Sequence, residues 1–188
     1  RETLRLILTQ ITRITNVLRG LMDFAQPKQP QRTLAQLDQI ILKSIELARY
    51  DKRFKQINVK TEFGASLPPL PLDADQLQQV FLNLLLNARD ALDGRNGDAE
   101  ITVRLHSNEQ DVTVEVADNG SGIAPEHAAK LFDPFFTTKP AGKGTGLGLA
   151  VSHSIITAHG GRISVESLDV GTCVTVAFPL EADEETEN

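Results

Sequence analysis

A single cysteine, Cys173, stands in the 188 residues, so a disulfide framework is excluded. Its surroundings, TCVTVAF, alternate as a strand does, which suits a small buried side chain better than a nucleophile or a metal ligand. A reducing compartment is the default expectation. Long apolar runs are missing as well. No window reaches the roughly 18 continuous apolar residues of a membrane span, and no signal-peptide pattern opens the sequence, so a soluble piece is expected. A basic surplus is also absent: 19 Lys and Arg face 25 Asp and Glu, for a net charge of −6. Five of those acids crowd into residues 181–188, EADEETEN, and the remainder carries only −1. That end reads as a solvated, disordered tail, and general affinity for nucleic acid is not indicated. No internal repeat is visible. What remains is an ordinary apolar fraction of 40%, enough for one packed domain and an appendage.

The densest local signal is FDPFFTTKPAGKGTGLGLAV, residues 132–151, which sets Gly142, Gly144, Gly146 and Gly148 ahead of an apolar, helix-like run. Two familiar phosphate loops fail on spacing. A dinucleotide fingerprint needs glycines at offsets zero, two and five behind a strand, and the fifth offsets from Gly142 and Gly144 are Leu147 and Leu149. A Walker loop needs Gly-Lys followed by Ser or Thr, but Lys143 is followed by Gly144, and no apolar strand leads in. This is a third kind of glycine loop.

Along the chain, residues 1–25 carry apolar side chains at helical spacing, ended by Pro27 and Pro30. That stripe suits either a core helix of the same domain or a bundle partner in a dimer. After the prolines, Asp38 is expected to cap a helix running through Ile45 to about Phe54. INVKTEF alternates as a strand, LPPLPLD reads as rigid loop, and Asp73 or Asp75 opens a long helix to Leu92. AEITVRLHS and VTVEVAD form a hairpin, a short helix starts at Pro125, another helix spans about 146–158, and GGRISVES with GTCVTVAFP makes a last hairpin. The order implies a two-layer α/β sandwich with a largely antiparallel sheet, helices on one face and the other face more open.

Chemistry concentrates at two places besides the loop. Asn83 and Asn87, four apart, share one face of the long helix among apolar neighbours. A buried amide without a partner costs roughly 1–3 kcal/mol, so the pair wants either a neighbouring loop or a shared ligand. An amide oxygen is a hard ligand suited to magnesium brought in by phosphates. At the end of the second hairpin strand, ADNGSGI puts Asp118 ahead of Gly120 and Gly122. Asn-Gly is a turn in its own right, but a carboxylate there could also accept the exocyclic amine of a base such as adenine.

The order of these motifs resembles the catalytic and ATP-binding domain of bacterial sensor histidine kinases, within the superfamily of DNA gyrase, the Hsp90 chaperones and MutL. Residues 83–92 are similar to the family's N box, 118–123 to its first glycine box, 131–139 to its phenylalanine box and 142–149 to its second glycine box, with Gly171 and Thr172 as the third. The likeness runs over about 34–180. It implies a Bergerat-type ATP-binding fold preceded by an isolated helix, with 1–26 as the second helix of a dimerisation hairpin of the nitrogen-regulator or dicarboxylate-sensor type, 27–33 as linker and 181–188 as tail.

The resemblance implies ATP and magnesium as ligands. Asn87 would hold the metal, with Asn83 beside it; Asp118 would receive the adenine amine; Gly120, Gly122 and Ile123 would line the base, and Thr172 would help through water. Gly142, Gly144, Thr145, Gly146, Leu147, Gly148 and Leu149 would form a lid whose amides and helix N-terminus face the phosphates, as free N–H groups and the helix dipole favour. Lys139 or Lys143 would supply charge to the γ-phosphate, Asn83 and Lys139 are candidate assistants to transfer, and Phe135 and Phe136 either pack the lid or clamp it.

Two departures shape the expectation. Many family members carry a basic residue three positions after the magnesium asparagine, where this chain has Asp90. The superfamily's ATPases place a water-activating glutamate four positions before it, where this chain has Asn83, and an amide is not a general base. Transfer to another acceptor is therefore favoured over hydrolysis. None of His106, His127, His153 and His159 has the family's acceptor context, so each is expected to be a surface or structural histidine, and the acceptor is expected upstream of Arg1 on a helix that pairs with this chain in a homodimer. A response-regulator receiver is the expected partner, and the whole protein is expected in the cytoplasm or tethered to the inner membrane. The competing reading is a nucleotide-binding interaction module, anti-sigma-like or catalytically silent, and a mitochondrial-type protein kinase is a further one.

Overall fold

The computed structural model describes residues 29–64, 67–95, 97–140 and 144–180. The expected N-terminal helix, the acidic tail, Gly142 and Lys143 lie outside them. The chain enters through β1 (Thr33–Ala35), then α1 (Leu37–Ala48), β2 (Asn58–Phe63), β3 (Leu70–Leu72) and α2 (Ala74–Ala91). It continues through the hairpin of β4 (Glu100–Ser107) and β5 (Asp111–Asp118), the short α3 (Pro125–Ala128), α4 (Gly148–Ala158) and the hairpin of β6 (Arg162–Ser167) and β7 (Thr172–Pro179). Five strands form one mixed sheet in the order β2-β4-β5-β7-β6; only the β2–β4 pair is parallel. Among the described residues no helix is long and apolar enough to cross a membrane.

Alternation in the strands divides the sheet faces. Ile101, Val103 and Leu105 of β4 and Val112, Val114 and Val116 of β5 are buried and join one core with residues of all three longer helices, including Leu37, Ile41, Phe81, Leu84 and Ile156. The opposite face carries a charged row across three strands, in which the Arg104 guanidinium donates to Glu62 at 2.9 Å and to Glu115 at 3.3 Å. The result is the mixed α/β sandwich expected from the element order.

Helix α2 is the spine that positions the site. Asp73 caps it, accepting the Gln76 N–H at 3.1 Å; Asp75 stands in the first turn and Arg89 in the last, each complementing the helix dipole. Leu77, Val80, Phe81, Leu84, Leu85 and Ala88 form its buried stripe. Truncating Phe81, 1% exposed, to Ala would cost about 3–5 kcal/mol and is the single change best suited to break this packing.

Two local expectations need correction. Asp38 does not cap α1: Gln36 occupies the N-cap position, without a side-chain hydrogen bond, and Asp38 lies in the first turn. That helix stops at Ala48 because Asp51 folds the chain back by accepting the Arg53 N–H at 2.8 Å, and a separate 3-10 turn, Phe54–Gln56, then buries Phe54. The segment read as rigid loop contains β3, which pairs antiparallel with β1. Pro71 is tolerated there because its side chain faces outward on a two-stranded ribbon while Leu70 and Leu72 are buried.

Candidate functional site

Asp118 ends β5 as a buried carboxylate, 7% exposed. Its Oδ1 accepts the Gly120 N–H at 2.8 Å. Burial pushes its carboxyl above the usual carboxylate range, against the opposing pull of the Gly120 and Thr172 N–H groups and of Arg95. Around it the backbone is packed so closely that side chains are excluded. A Cβ on Gly120 would strike the Ala91 carbonyl and the Asp118 carboxylate, and one on Gly171, at φ 90°, would strike the Asp118 carbonyl. The Ser121 N–H also bonds the Ala91 carbonyl at 3.1 Å, which fastens this glycine turn to the C-terminal end of α2. Thr172 is buried opposite Asp118 in the β5–β7 register, and the Ile123 carbonyl accepts the Ser167 hydroxyl at 2.8 Å.

One helical turn back along α2, the amide oxygen of Asn87 accepts from Lys139 Nζ at 3.0 Å, and the same ammonium donates to Asp90 Oδ2 at 2.7 Å. The second Asp90 oxygen faces the Arg89 guanidinium, which also grips Asp51 at 2.6 Å. Burial works to raise the Asp90 carboxyl, yet hydrogen bonds from Lys139 and Arg89 prevail and hold it below its ordinary range. Asn83 points elsewhere: its amide donates to the Ser152 hydroxyl on α4 at 3.0 Å, and a Cβ on Gly148 would run into its side chain. The two asparagines thus share a helix face but have separate partners, one on the lid segment and one on the helix behind it.

The segment between α3 and α4 lies over this face. The Phe135 N–H donates to the Gly146 carbonyl at 2.9 Å, and Phe135 takes a positive φ of 68° while its ring is exposed. Phe136 instead packs its ring against His127, centroids 5.5 Å apart. Gly144 sits against Thr137 and the stem of Lys139, Thr145 accepts the Leu147 N–H at 3.3 Å, and Leu147 is buried ahead of Gly148, the first residue of α4. Leu149 is half-buried against the core.

The structure brings Asp118, Gly120, Gly122 and Thr172 together where β5 meets the end of α2, and one turn back sets Asn87 against Lys139, whose stem lies on Gly144; Gly142 and Lys143 lie outside the described residues. The sequence missed three participants. Asp90 registered only as a departure from pattern, although it shares Lys139 with Asn87 across 49 residues of chain. Ser152 and Arg89 carried no local signal, since their partners Asn83 and Asp51 are 69 and 38 residues away. For magnesium, the donor set fits: two hard oxygens, on Asn87 and Asp90, already converge on one cation. Among the described residues no group of three or more His, Cys, Asp or Glu side chains could hold a metal.

Residues 72–182 match the family described as histidine kinase-, DNA gyrase B-, and HSP90-like ATPase. The chain is 35% identical over 181 residues to the signal transduction histidine-protein kinase AtoS of Escherichia coli, an alignment covering 96% of this chain and 29% of AtoS. It thus spans less than a third of that relative. Among solved structures, the catalytic domain of histidine kinase ThkA is similar at a TM-score of 0.69 and 30% identity, covering 79% of this chain and 97% of that one. ThkA in complex with the response regulator protein TrrA aligns at a TM-score of 0.79 over 98% of this chain and 52% of that one, with 24% identity, a likeness of fold. This chain belongs to the histidine kinase-, DNA gyrase B- and HSP90-like ATPase family, and within it is the catalytic ATP-binding domain of a two-component sensor histidine kinase.

Proposed function

We propose that the domain binds ATP between the glycine turn after β5 and the glycine segment before α4, and transfers the γ-phosphoryl group to a histidine on a dimerisation helix, from which it passes to an aspartate of a receiver domain. The observation that carries this reading is Asp118: a buried carboxylate walled by glycines at the mouth of the sheet. A charge kept out of water costs stability, and although the Gly120 N–H already bonds Asp118 Oδ1, a carboxylate has lone pairs enough to accept an exocyclic amine as well.

On this reading Asp118 takes the adenine amine, Gly120, Gly122 and Ile123 flank the base, and Thr172 adds a water-mediated contact. Gly142, Gly144, Thr145, Gly146, Leu147, Gly148 and Leu149, with Phe136 bracing the lid, enclose the phosphates at the start of α4. Asn87 is the magnesium ligand, and when bound the metal neutralises charge between the phosphate oxygens. Asn83 holds α4 through Ser152, and Lys139 supplies a mobile positive charge. With an amide rather than a carboxylate four positions before Asn87, no group there can deprotonate water, so positioning and charge neutralisation serve transfer rather than hydrolysis. The catalytic unit is then 34–180, although β1 already begins at Thr33. The hairpin helix, linker and tail expected at 1–26, 27–33 and 181–188 fall wholly or largely outside the described residues. The receiver partner is supported by the complex of ThkA with TrrA. The domain works in the cytoplasm.

The test is phosphotransfer. Incubated with γ-labelled ATP, this chain alone gains no acid-labile label; joined to its acceptor helix, it labels that helix and then a receiver domain. Label on any of His106, His127, His153 or His159 would refute the assignment.

A further inference from the structure

One ammonium, that of Lys139, stands where a divalent ion held by Asn87 would have to bind. Lys139 Nζ is 3.0 Å from Asn87 Oδ1 and 2.7 Å from Asp90 Oδ2, so an amide oxygen and a carboxylate oxygen from adjacent turns of α2 converge on a single cation. The geometry is pinned from behind. Asp90 Oδ1 receives Arg89 Nε at 2.9 Å and faces Arg53 at 3.5 Å, while the Arg89 side chain, 10% exposed, is itself anchored on Asp51. Oδ2 is thereby fixed on the side of Asn87. From the lid, the Lys139 N–H bonds the Thr137 hydroxyl at 3.2 Å, and the lysine stem lies against Gly144.

We propose that Asp90 shares the divalent-ion seat with Asn87, and that Lys139 fills this seat until a magnesium nucleotide displaces it. This rests on the reading of Asn87 as the magnesium ligand. A carboxylate beside a polyphosphate is repelled unless a cation lies between them, and Lys139 is the cation the chain places on Asp90. Magnesium requires oxygens at about 2.1 Å, and an ammonium already touching both oxygens leaves it no room. Metal loading therefore expels Lys139 from its contacts with Asn87 and Asp90.

The test is calorimetric titration of the 188-residue chain with ADP across a range of Mg2+ concentrations, ADP being chosen because it has no γ-phosphate for Lys139 to reach. Wild type gains affinity as Mg2+ rises. Asp90→Asn moves the half-maximal Mg2+ concentration up by roughly tenfold or more, and Lys139→Met moves it down. An unchanged midpoint in folded Asp90→Asn, or a raised one in Lys139→Met, overturns the proposal while leaving the Asn87 reading intact. Affinity indifferent to Mg2+ in wild type strikes that underlying reading and the proposal together. Lys139→Met leaves the Arg89, Arg53 and Asp51 contacts in place, so it decides the matter if Asp90→Asn does not fold.

Discussion

The imidazole Nε2 of His159 accepts the backbone N–H of Asp73 at 3.0 Å, joining the end of α4 to the residue that caps α2. Its Nδ1 lies 2.8 Å from the Ile155 carbonyl and must carry the proton, so the ring is held neutral in one tautomer. The helix that bears Asn87 and the helix that begins at Gly148 are thus tied at their far ends through a histidine that is 6% exposed.

That tie predicts a pH dependence. Burial lowers the His159 pKa; Arg32 adds to the effect, and the Ile155 carbonyl and Asp73 oppose it. The unfolded chain then takes up a proton at a pH where the folded one does not, so this contribution is intact above the ordinary value of 6.5 and is lost as pH falls from there through the folded value. Chemical denaturation at pH 7.5 and 5.5 should show a stability loss that His159→Gln reduces. An equal loss in both proteins would contradict the assignment.

Asp118 behaves in the opposite sense. A folded carboxyl raised above 3.8 gives stability that is complete below that value and disappears as pH rises through the folded one, so at neutral pH the buried charge is a cost. Asp118→Asn should therefore melt no lower than wild type at pH 7, yet lose adenine-nucleotide affinity by roughly tenfold to a hundredfold, the range for a charge-assisted hydrogen bond. Calorimetry with ADP and a thermal melt on one preparation measure both. Undiminished affinity would remove Asp118 from the site.

Much of this was legible because it is local. Alternation gave the two hairpins with their ends nearly correct, and the apolar stripe with its Asp73 cap gave α2. Asp118 with Gly120 and Gly122 could be read as a strand end followed by a tight turn for the same reason. The misses are non-local. The pairing of β1 with β3 depends on contacts across about 40 residues and overrides the loop propensity of Leu-Pro-Pro-Leu-Pro-Leu. Asp90 could not be understood from its own helix, since its meaning lies in Lys139, and the partner of Asn83 is Ser152 on another helix.

The lid turn depends on Gly146. It adopts a φ of 66°, its carbonyl accepts the Phe135 N–H, and an added Cβ would overlap the Phe135 carbonyl group. Gly146→Ala combines positive-φ strain with that clash, together on the order of 1–3 kcal/mol locally. Hydrogen exchange should show the Phe135 amide losing its protection while the β4 and β5 amides keep theirs. Protection retained at Phe135 would mean the turn can re-form without Gly146.

Ser152 offers a test of how α4 is held. Its hydroxyl, 1% exposed, accepts from Asn83 at 3.0 Å, next to the point where Gly148 abuts the same side chain. Ser152→Ala leaves the Asn83 N–H without its acceptor at a cost of about 1–3 kcal/mol in stability. If the start of α4 faces the phosphates as proposed, loosening it should lower ADP affinity as well. Asn83→Ala removes both the donor and the side chain under Gly148, so the double variant should be little worse than Asn83→Ala alone. Additive losses in urea unfolding would show that the two residues act independently and that α4 takes its place from core packing through Ile156 instead.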